Sequence, residues 1–424
     1  EWIHEVTLHV ENGTSSQIWD EVGTPSFLIS YPLPQKLSPT HSLIHIRIQF
    51  QGFKTIEEYI EPEGLEILRY SYPLQRDFEV WEFPEISWLL PTSEQLLLIS
   101  KKNLMTQIQA IDRQAKIQWN FSLSGELVFS PVILNHWFFV GNTKTFEEEL
   151  TDAECTLFDL REAPPKKIAT VKIPGGVKSS GCFLPDQNMI CVAGVQAQGS
   201  GKKISGCLRF YSLPELTEAL PSVPLGSLVT TEISYLPEEG SVYFGTKNYF
   251  GAYSLKNKTI LWKEKALEKE EIFSFQPFFN TKGVLICKNT SNSGTLLSYG
   301  LKKGEGLQSL DLQGVVPFPP QIAQNLFWVT THKTLLGFNL ETLELTTSYR
   351  SPSVLGASAV FDGNYFYLVR ENGSVAAINS KSETIWEYSL SSKLPSEAKL
   401  LEFPILFGKR LLIPFSHAII VFNL

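Results

Sequence analysis

The chain has 424 residues, 43% of them hydrophobic and 19% charged, which is enough apolar material for a large packed core. Its formal net charge is −8, with acidic and basic residues mixed along most of its length. That balance argues against nucleic acid as a main partner, because phosphate binding needs a concentrated basic face. No run of about 18 apolar residues occurs, so no transmembrane segment is expected within it.

Residues 1–75 carry strand-like stretches at 5–10, 26–31, 42–51 and 65–72. Ile44, Ile46, Ile48 and Phe50 alternate with His45, Arg47 and Gln49, the pattern of a strand with one buried face. Asn12-Gly13 and Glu63-Gly64 are turn signals between strands. The stretch reads as a small β-rich appendage over 1–75. The alternative is an extra, degenerate repeat unit ending at Leu68–Trp81.

From about residue 76 one device recurs. Residues 110–119, 252–262 and 377–386 each read as a short strand, a polar turn and a second strand carrying Trp119, Trp262 or Trp386. The turn-opening position falls at Asp112, Asp159, Ser212, Ser254, Gly300, Asn339, Asn379 and Asn423, at spacings of 47, 53, 42, 46, 39, 40 and 44 residues. A period of 40–50 residues built of short strands fits a four-stranded propeller blade. Strand pairs precede the device at 129–141, 275–287 and 403–413, with Pro131, Pro277 and Pro404 in similar places. Proline in a strand implies an edge, which the innermost strand of a blade provides. Eight markers predict eight blades over 76–424, or seven if the periods around Ser212 or Gly300 are misread. The chain stops just after the last marker, so the last blade lacks an outer strand, and residues 77–83 have the character to supply it. Such closure leaves no unpaired edge where the ends meet.

The pattern Ala-x-Asp-x-x-x-Gly-x-x-x-Trp after a strand–turn–strand resembles the repeat of the PQQ-like, quinoprotein-type propellers, with 110–119, 252–262 and 377–386 as the best matches. The third, fifth and sixth copies lack the Trp, and Ala115, Lys258 or Glu383 stands where the family has Gly. The resemblance implies an all-β propeller in which Trp119, Trp262 and Trp386 pack between neighbouring blades and Asp112 and Asp159 hold signature turn positions. In size the chain is similar to the propeller lipoproteins of the outer-membrane β-barrel assembly machine. That likeness implies a non-enzymatic scaffold, extracytoplasmic and periplasmic, and anchored to a membrane through a segment preceding residue 1.

The same family holds PQQ-dependent dehydrogenases, whose alcohol-oxidising members carry adjacent cysteines, carboxylates around calcium and a catalytic Asp. Here the five cysteines, Cys155, Cys182, Cys191, Cys207 and Cys287, are never adjacent, and no matching acidic cluster is assignable. Cys182 and Cys191 flank a hairpin turning near Asp186-Gln187 and would sit opposite one another. A cross-strand disulfide between them competes with the reading of two small buried hydrophobes. None of His4, His9, His41, His45, His136, His332 and His417 has metal-ligand spacing. Gly199-Ser-Gly-Lys-Lys203 is too short for a phosphate-binding loop and has no following helix.

Two charged stretches, 147–154 and 263–271, read as solvated loops or as contacts that steer a partner. Asn12, Asn120, Asn257, Asn289 and Asn372 begin Asn-x-Ser/Thr sequons, at a frequency that a Ser/Thr-rich chain produces by chance. The expectation is a scaffold binding other proteins in an envelope- or membrane-associated assembly, with no catalytic residue, metal or cofactor. A ligand-binding propeller and a sensory luminal or periplasmic module are the alternatives.

Overall fold

In a computed structural model, the strands 4–10, 13–19, 26–32, 44–49, 56–60 and 67–73 are described by their backbone, and 78–424 apart from 84, 103, 144–150, 199–202, 266–270, 391–398 and 402–403. Residues 84–358 form one compact unit; 1–83 and 359–424 form the other.

Eight antiparallel four-stranded meanders fill 78–424. Eight repeated meanders of this kind are the architecture of an eight-bladed β-propeller, so the count is eight and the periods around Ser212 and Gly300 are both true blades. The first unit carries blades 1 to 6. Blade 1 is Ile86–Pro91, Leu96–Lys102, Met105–Ile111 and Ile117–Ser124, ordered from inner to outer strand. Blades 2 to 6 end in the outer strands Lys166–Ile173, Glu218–Pro224, Thr259–Lys265, Gly306–Asp311 and Leu345–Arg350. Blade 2 gains a fifth strand, because Glu126–Leu127 pairs with the end of Trp137–Thr143.

The second strands are the most apolar: Leu96 to Ile99, Val242 to Phe244, Val284 to Ile286 and Leu411 to Ile413 are buried without alternation. Both faces of a blade pack on apolar neighbours, so the period-2 pattern disappears there. Outer strands recover alternation, as in Thr259–Lys265, where Trp262 is buried between exposed Leu261 and Lys263.

Blade 8 is built from two stretches far apart in sequence, 405–423 and 78–82. Ile405–Leu406, Arg410–Phe415 and Ala418–Asn423 pair in order, and Phe78–Glu82 adds as the outer strand, with Phe78 opposite Phe422 and Glu82 opposite Ala418. Blade 7, Val360–Phe361 to Thr384–Ser389, lies in the same unit. Pro277 sits inside the inner strand of blade 5, which pairs on one side only, whereas Pro131 and Pro404 lie just before theirs.

Before residue 78 the six strands form a four-stranded sheet, Gly13–Trp19, His4–Val10, Ile44–Gln49, Ile56–Ile60 in spatial order, and a two-stranded sheet of Ser26–Pro32 with Ile67–Pro73. They do not make a degenerate blade with Trp81: the strand containing Leu68 pairs with Ser26–Pro32, and the strand containing Trp81 belongs to blade 8. Gly13–Trp19 and Ile56–Ile60 were not anticipated. Glu11, Asn12, His41, Phe50, Glu63 and Gly64 lie outside the described residues, as do the side chains of His4, His9 and His45.

Candidate interaction surface

The repeated device is a hairpin with a locked turn and a bulged outer strand. Asp112 Oδ1 accepts from the Gln114 and Lys116 N–H groups at 2.9 Å each. Asn339 Oδ1 does the same for Glu341 and Thr342 at 2.9 Å, and Asn379 Oδ1 for Lys381 and Glu383 at 3.0 Å. A short polar side chain there satisfies donors that the tight turn strands. At Asp159 the Arg161 N–H donates at 3.0 Å and the Arg161 guanidinium also binds the carboxylate. That guanidinium holds the Asp159 carboxyl down at about 2, the hydrogen bond outweighing the cost of burial.

The turn then needs one residue in the left-handed region. Gly304 takes it in blade 5 at φ 68°, but Ala115, Lys258 and Ser382 take it elsewhere at 61°, 54° and 65°. Ser382, not Glu383, fills the glycine position in blade 7, because that turn is one residue shorter than the turn of blade 4. In each of blades 1 to 7 the register between third and outer strand then shifts at the equivalent place, for example between Ala110 and Ile111 or Ala252 and Tyr253, and blade 3 shifts once more between Leu208 and Phe210. Each shift is a β-bulge next to the signature position.

The three signature tryptophans are buried at 7%, 7% and 8% exposure for Trp119, Trp262 and Trp386. Trp262 donates from Nε1 to the Leu301 carbonyl of blade 5 at 2.9 Å and packs with Tyr299 and Leu301 of that blade. Trp119 packs with Phe138, Val140 and Phe158 of blade 2, and its Nε1 donates to Gln95 Oε1 at 3.1 Å. Trp386 lies tilted against Phe422 of blade 8, with ring centroids 5.8 Å apart. Blade 2 holds Ala169 opposite Leu157 where blade 4 has Trp262 opposite Ala252, so it lacks the Trp as well.

Cys182 and Cys191 stand directly opposite in the first hairpin of blade 3. Both are thiols in this structure, as are the other three cysteines. Burial pushes the Cys182 thiol up to about 12 and holds the Cys191 thiol well above its ordinary value, so neither is a ready thiolate nucleophile.

The structure therefore spreads the sequence-predicted positions over blades 1, 2, 3, 4 and 7 and brings no catalytic set together. Among the described residues no group of three or more His, Cys, Asp and Glu is placed to hold a metal ion. His136 lies against Trp137, and the Ser416 hydroxyl and His417 Nδ1 are 2.8 Å apart.

The charged loops are partly absorbed by the fold. Asp152 accepts from the Gly175 N–H at 3.0 Å, Glu271 pairs with Lys288 at 2.7 Å, and Lys263 lies over the Tyr249 ring. Residues 147–150, 199–202 and 266–270 lie outside the described residues. Of the sequons, Asn289 has its amide committed to Val316 and Ser274, while Asn120, Asn257 and Asn372 are exposed. Ion pairs such as Arg370–Glu387 were not foreseen, since their partners lie on different strands and nothing in the sequence links them.

What remains open to a partner is the set of turns and the outer strand edges. Three turns between second and third strands share one lock: the Thr246, Thr290 and Thr331 hydroxyls each accept from N–H groups two and three residues on. Such turns are rigid platforms for variable side chains.

No family model matches the chain, and no curated protein sequence matches it. Solved structures do. BamB from Moraxella catarrhalis superposes with a TM-score of 0.59 at 11% identity, over 82% of this chain and 98% of that one. This chain shares its propeller fold. The computationally designed Ika8 protein matches with a TM-score of 0.57 at 11% identity, over 80% of this chain and 96% of its own. A europium-containing methanol dehydrogenase matches with a TM-score of 0.56 at 10% identity, over 78% and 83%. A natural propeller, a designed one and an enzyme thus share one architecture, which is why fold alone assigns no chemistry here. No helix among the described residues is long and apolar enough to cross a membrane.

Proposed function

We propose that the chain is a non-catalytic propeller scaffold that binds other proteins in an envelope- or membrane-associated assembly, on the outer side of a cytoplasmic membrane. The observation that carries this reading is what the repeat positions do. Asp112, Asp159, Trp119, Trp262 and Trp386 are all consumed by turn capping and inter-blade packing. The likeness to BamB, which extends over 98% of that chain, supports the same reading. Binding would use the loops and strand edges, where backbone groups and exposed side chains are available.

The test is crosslinking of the tagged full-length protein in native membranes. Recovery of a β-barrel assembly protein or another envelope complex is expected. A clean preparation with no protein partner, at good expression, overturns the reading. Mass spectrometry of that preparation then reports whether a small molecule co-purifies, as a ligand-binding propeller requires.

A further inference from the structure

Four consecutive blades of the unit 84–358 repeat one irregularity at the inner strand. In blade 2 the Val128 N–H donates to the Gly141 carbonyl and Val132 pairs with Phe139, so residues 129–131 face Val140 alone. In the same way 179–181 of blade 3 face Val192, 231–233 of blade 4 face Phe244 and 275–277 of blade 5 face Ile286. A bulge of this kind re-aims a side chain. The first and third residues of each trio are buried, or half-buried at Phe275, which the bulge holds at φ 65°. The middle residues are Ser130, Ser180, Glu232 and Gln276, all polar. They leave the packing between blades and project from the free edge of the inner strand, which a propeller turns toward its central channel.

Adjacent bulges touch. The Ser180 side chain hydrogen-bonds the Glu232 carboxylate, and Ser234 Oγ donates to the Pro277 carbonyl at 2.7 Å. Blades 3, 4 and 5 thus place a hydroxyl, a carboxylate and an amide side by side on one rim. Glu232 and Gln276 are both exposed. Yet the Glu232 carboxyl is raised, and loss of water around it is the largest cause, with the Ser180 hydrogen bond opposing. A carboxylate on an open surface keeps its water. One that is solvent-accessible and still desolvated is walled in on most sides, as a group lining a channel is. No cation is among the groups that act on it.

We propose that this arc binds an ammonium group, with Glu232 as its charge partner and Ser180 and Gln276 as flanking hydrogen-bond partners. An ammonium carries three donors and no acceptor. A carboxylate, a hydroxyl oxygen and an amide oxygen answer them one for one. Calcium takes six to eight oxygens and several carboxylates, and among the described residues no group of three or more His, Cys, Asp and Glu is placed to hold a metal ion. An enclosed carboxylate without a counter-charge gains most from a cation that shares its low-dielectric surroundings. The ammonium belongs either to a small free amine or to a lysine of a partner protein. The inference goes beyond the scaffold reading, which uses loops and strand edges and stands or falls by the crosslinking result.

Saturation-transfer NMR on the full chain tests it, with n-butylammonium as the probe and n-butanol as the uncharged control. Saturable transfer to the amine and none to the alcohol is expected. Glu232→Gln should weaken the amine about ten-fold or more, and Gln276→Ala should weaken it less. Glu232→Gln removes an enclosed, unpaired charge, so its melting temperature should equal or exceed that of the parent, and lost binding is then not lost folding. Glu94→Gln, at an exposed turn of blade 1, should change nothing. Nα-acetyl-lysine methylamide separates the two sources: binding equal to that of n-butylammonium assigns the site to a protein lysine, and exclusion assigns it to a small amine. No saturable transfer, transfer equal for the alcohol, or binding indifferent to Glu232→Gln would each overturn the proposal.

Discussion

Lys258 holds the left-handed position of its turn at φ 54° with its side chain exposed, so nothing it packs against repays the strained backbone. A residue with a Cβ costs roughly 1–2 kcal/mol in that region, and glycine's extra freedom in the unfolded chain returns part of this. Lys258→Gly should therefore raise stability by up to ~1 kcal/mol, read as a higher melting temperature; a lower one would show that the turn is not strained. Asp159 makes a second prediction at this scale. Its carboxyl is depressed to about 2 by Arg161, against an ordinary value near ~3.9 in the unfolded chain. A depressed group stabilises above its unfolded value, and that stabilisation is lost as pH falls through the folded one. Asp159→Asn should accordingly be less stable than the parent at neutral pH. The gap should narrow between about pH 4 and pH 2, measured by denaturant midpoints on both proteins across that range; a constant gap would mean that Arg161 does not set it.

The strand–turn–strand device was legible at the level of elements because its punctuation is chemical: a capping Asp or Asn, a polar turn and a Trp. The bulge was not legible, since an extra residue such as Gln118 or Leu261 differs from its neighbours only in pairing. Gly13–Trp19 was missed for a related reason, as Gly-Thr-Ser-Ser-Gln carries the composition of a loop and becomes a strand only through His4–Val10. Glu383 is not the glycine position because the turn of blade 7 is one residue shorter than that of blade 4, a difference its composition does not signal. The Trp position can be tested as a joint between blades 4 and 5. A Cβ on Gly304 would come within 2.4 Å of the Trp262 ring, at φ 68°. Trp262→Ala should cost ~3–5 kcal/mol, and Gly304→Ala ~1–3 kcal/mol. The two costs should not add: Gly304→Ala should be milder once the indole is gone, which a double-mutant cycle measures. Strict additivity would show that the ring does not press on that turn.

For the molecule as a whole, the period predicted the architecture because every blade must bury two faces, and only repetition along the chain supplies the neighbours. Function was less legible, for the residues that announce the repeat are the ones the fold uses up. The completion of blade 8 by Phe78–Glu82 was readable because that segment has strand character and precedes the first full period. In blade 8 the hairpin that other blades close covalently is left open: Phe422 pairs with Phe78, with ring centroids 5.6 Å apart, and Leu424 follows directly. A short turn from Leu424 to a transplanted 78–82 segment would restore the connection used in blades 1 to 7. Compare a chain beginning at Ile86 that carries this C-terminal segment with one that carries no copy of it. The first should keep a four-stranded last blade and melt cooperatively. The second exposes the long apolar edge of Ala418–Asn423, and it should melt lower and aggregate, since an uncovered hydrophobic edge pairs with whatever strand it meets. Equal melting temperatures would mean that the N-terminal strand adds nothing to the blade it completes.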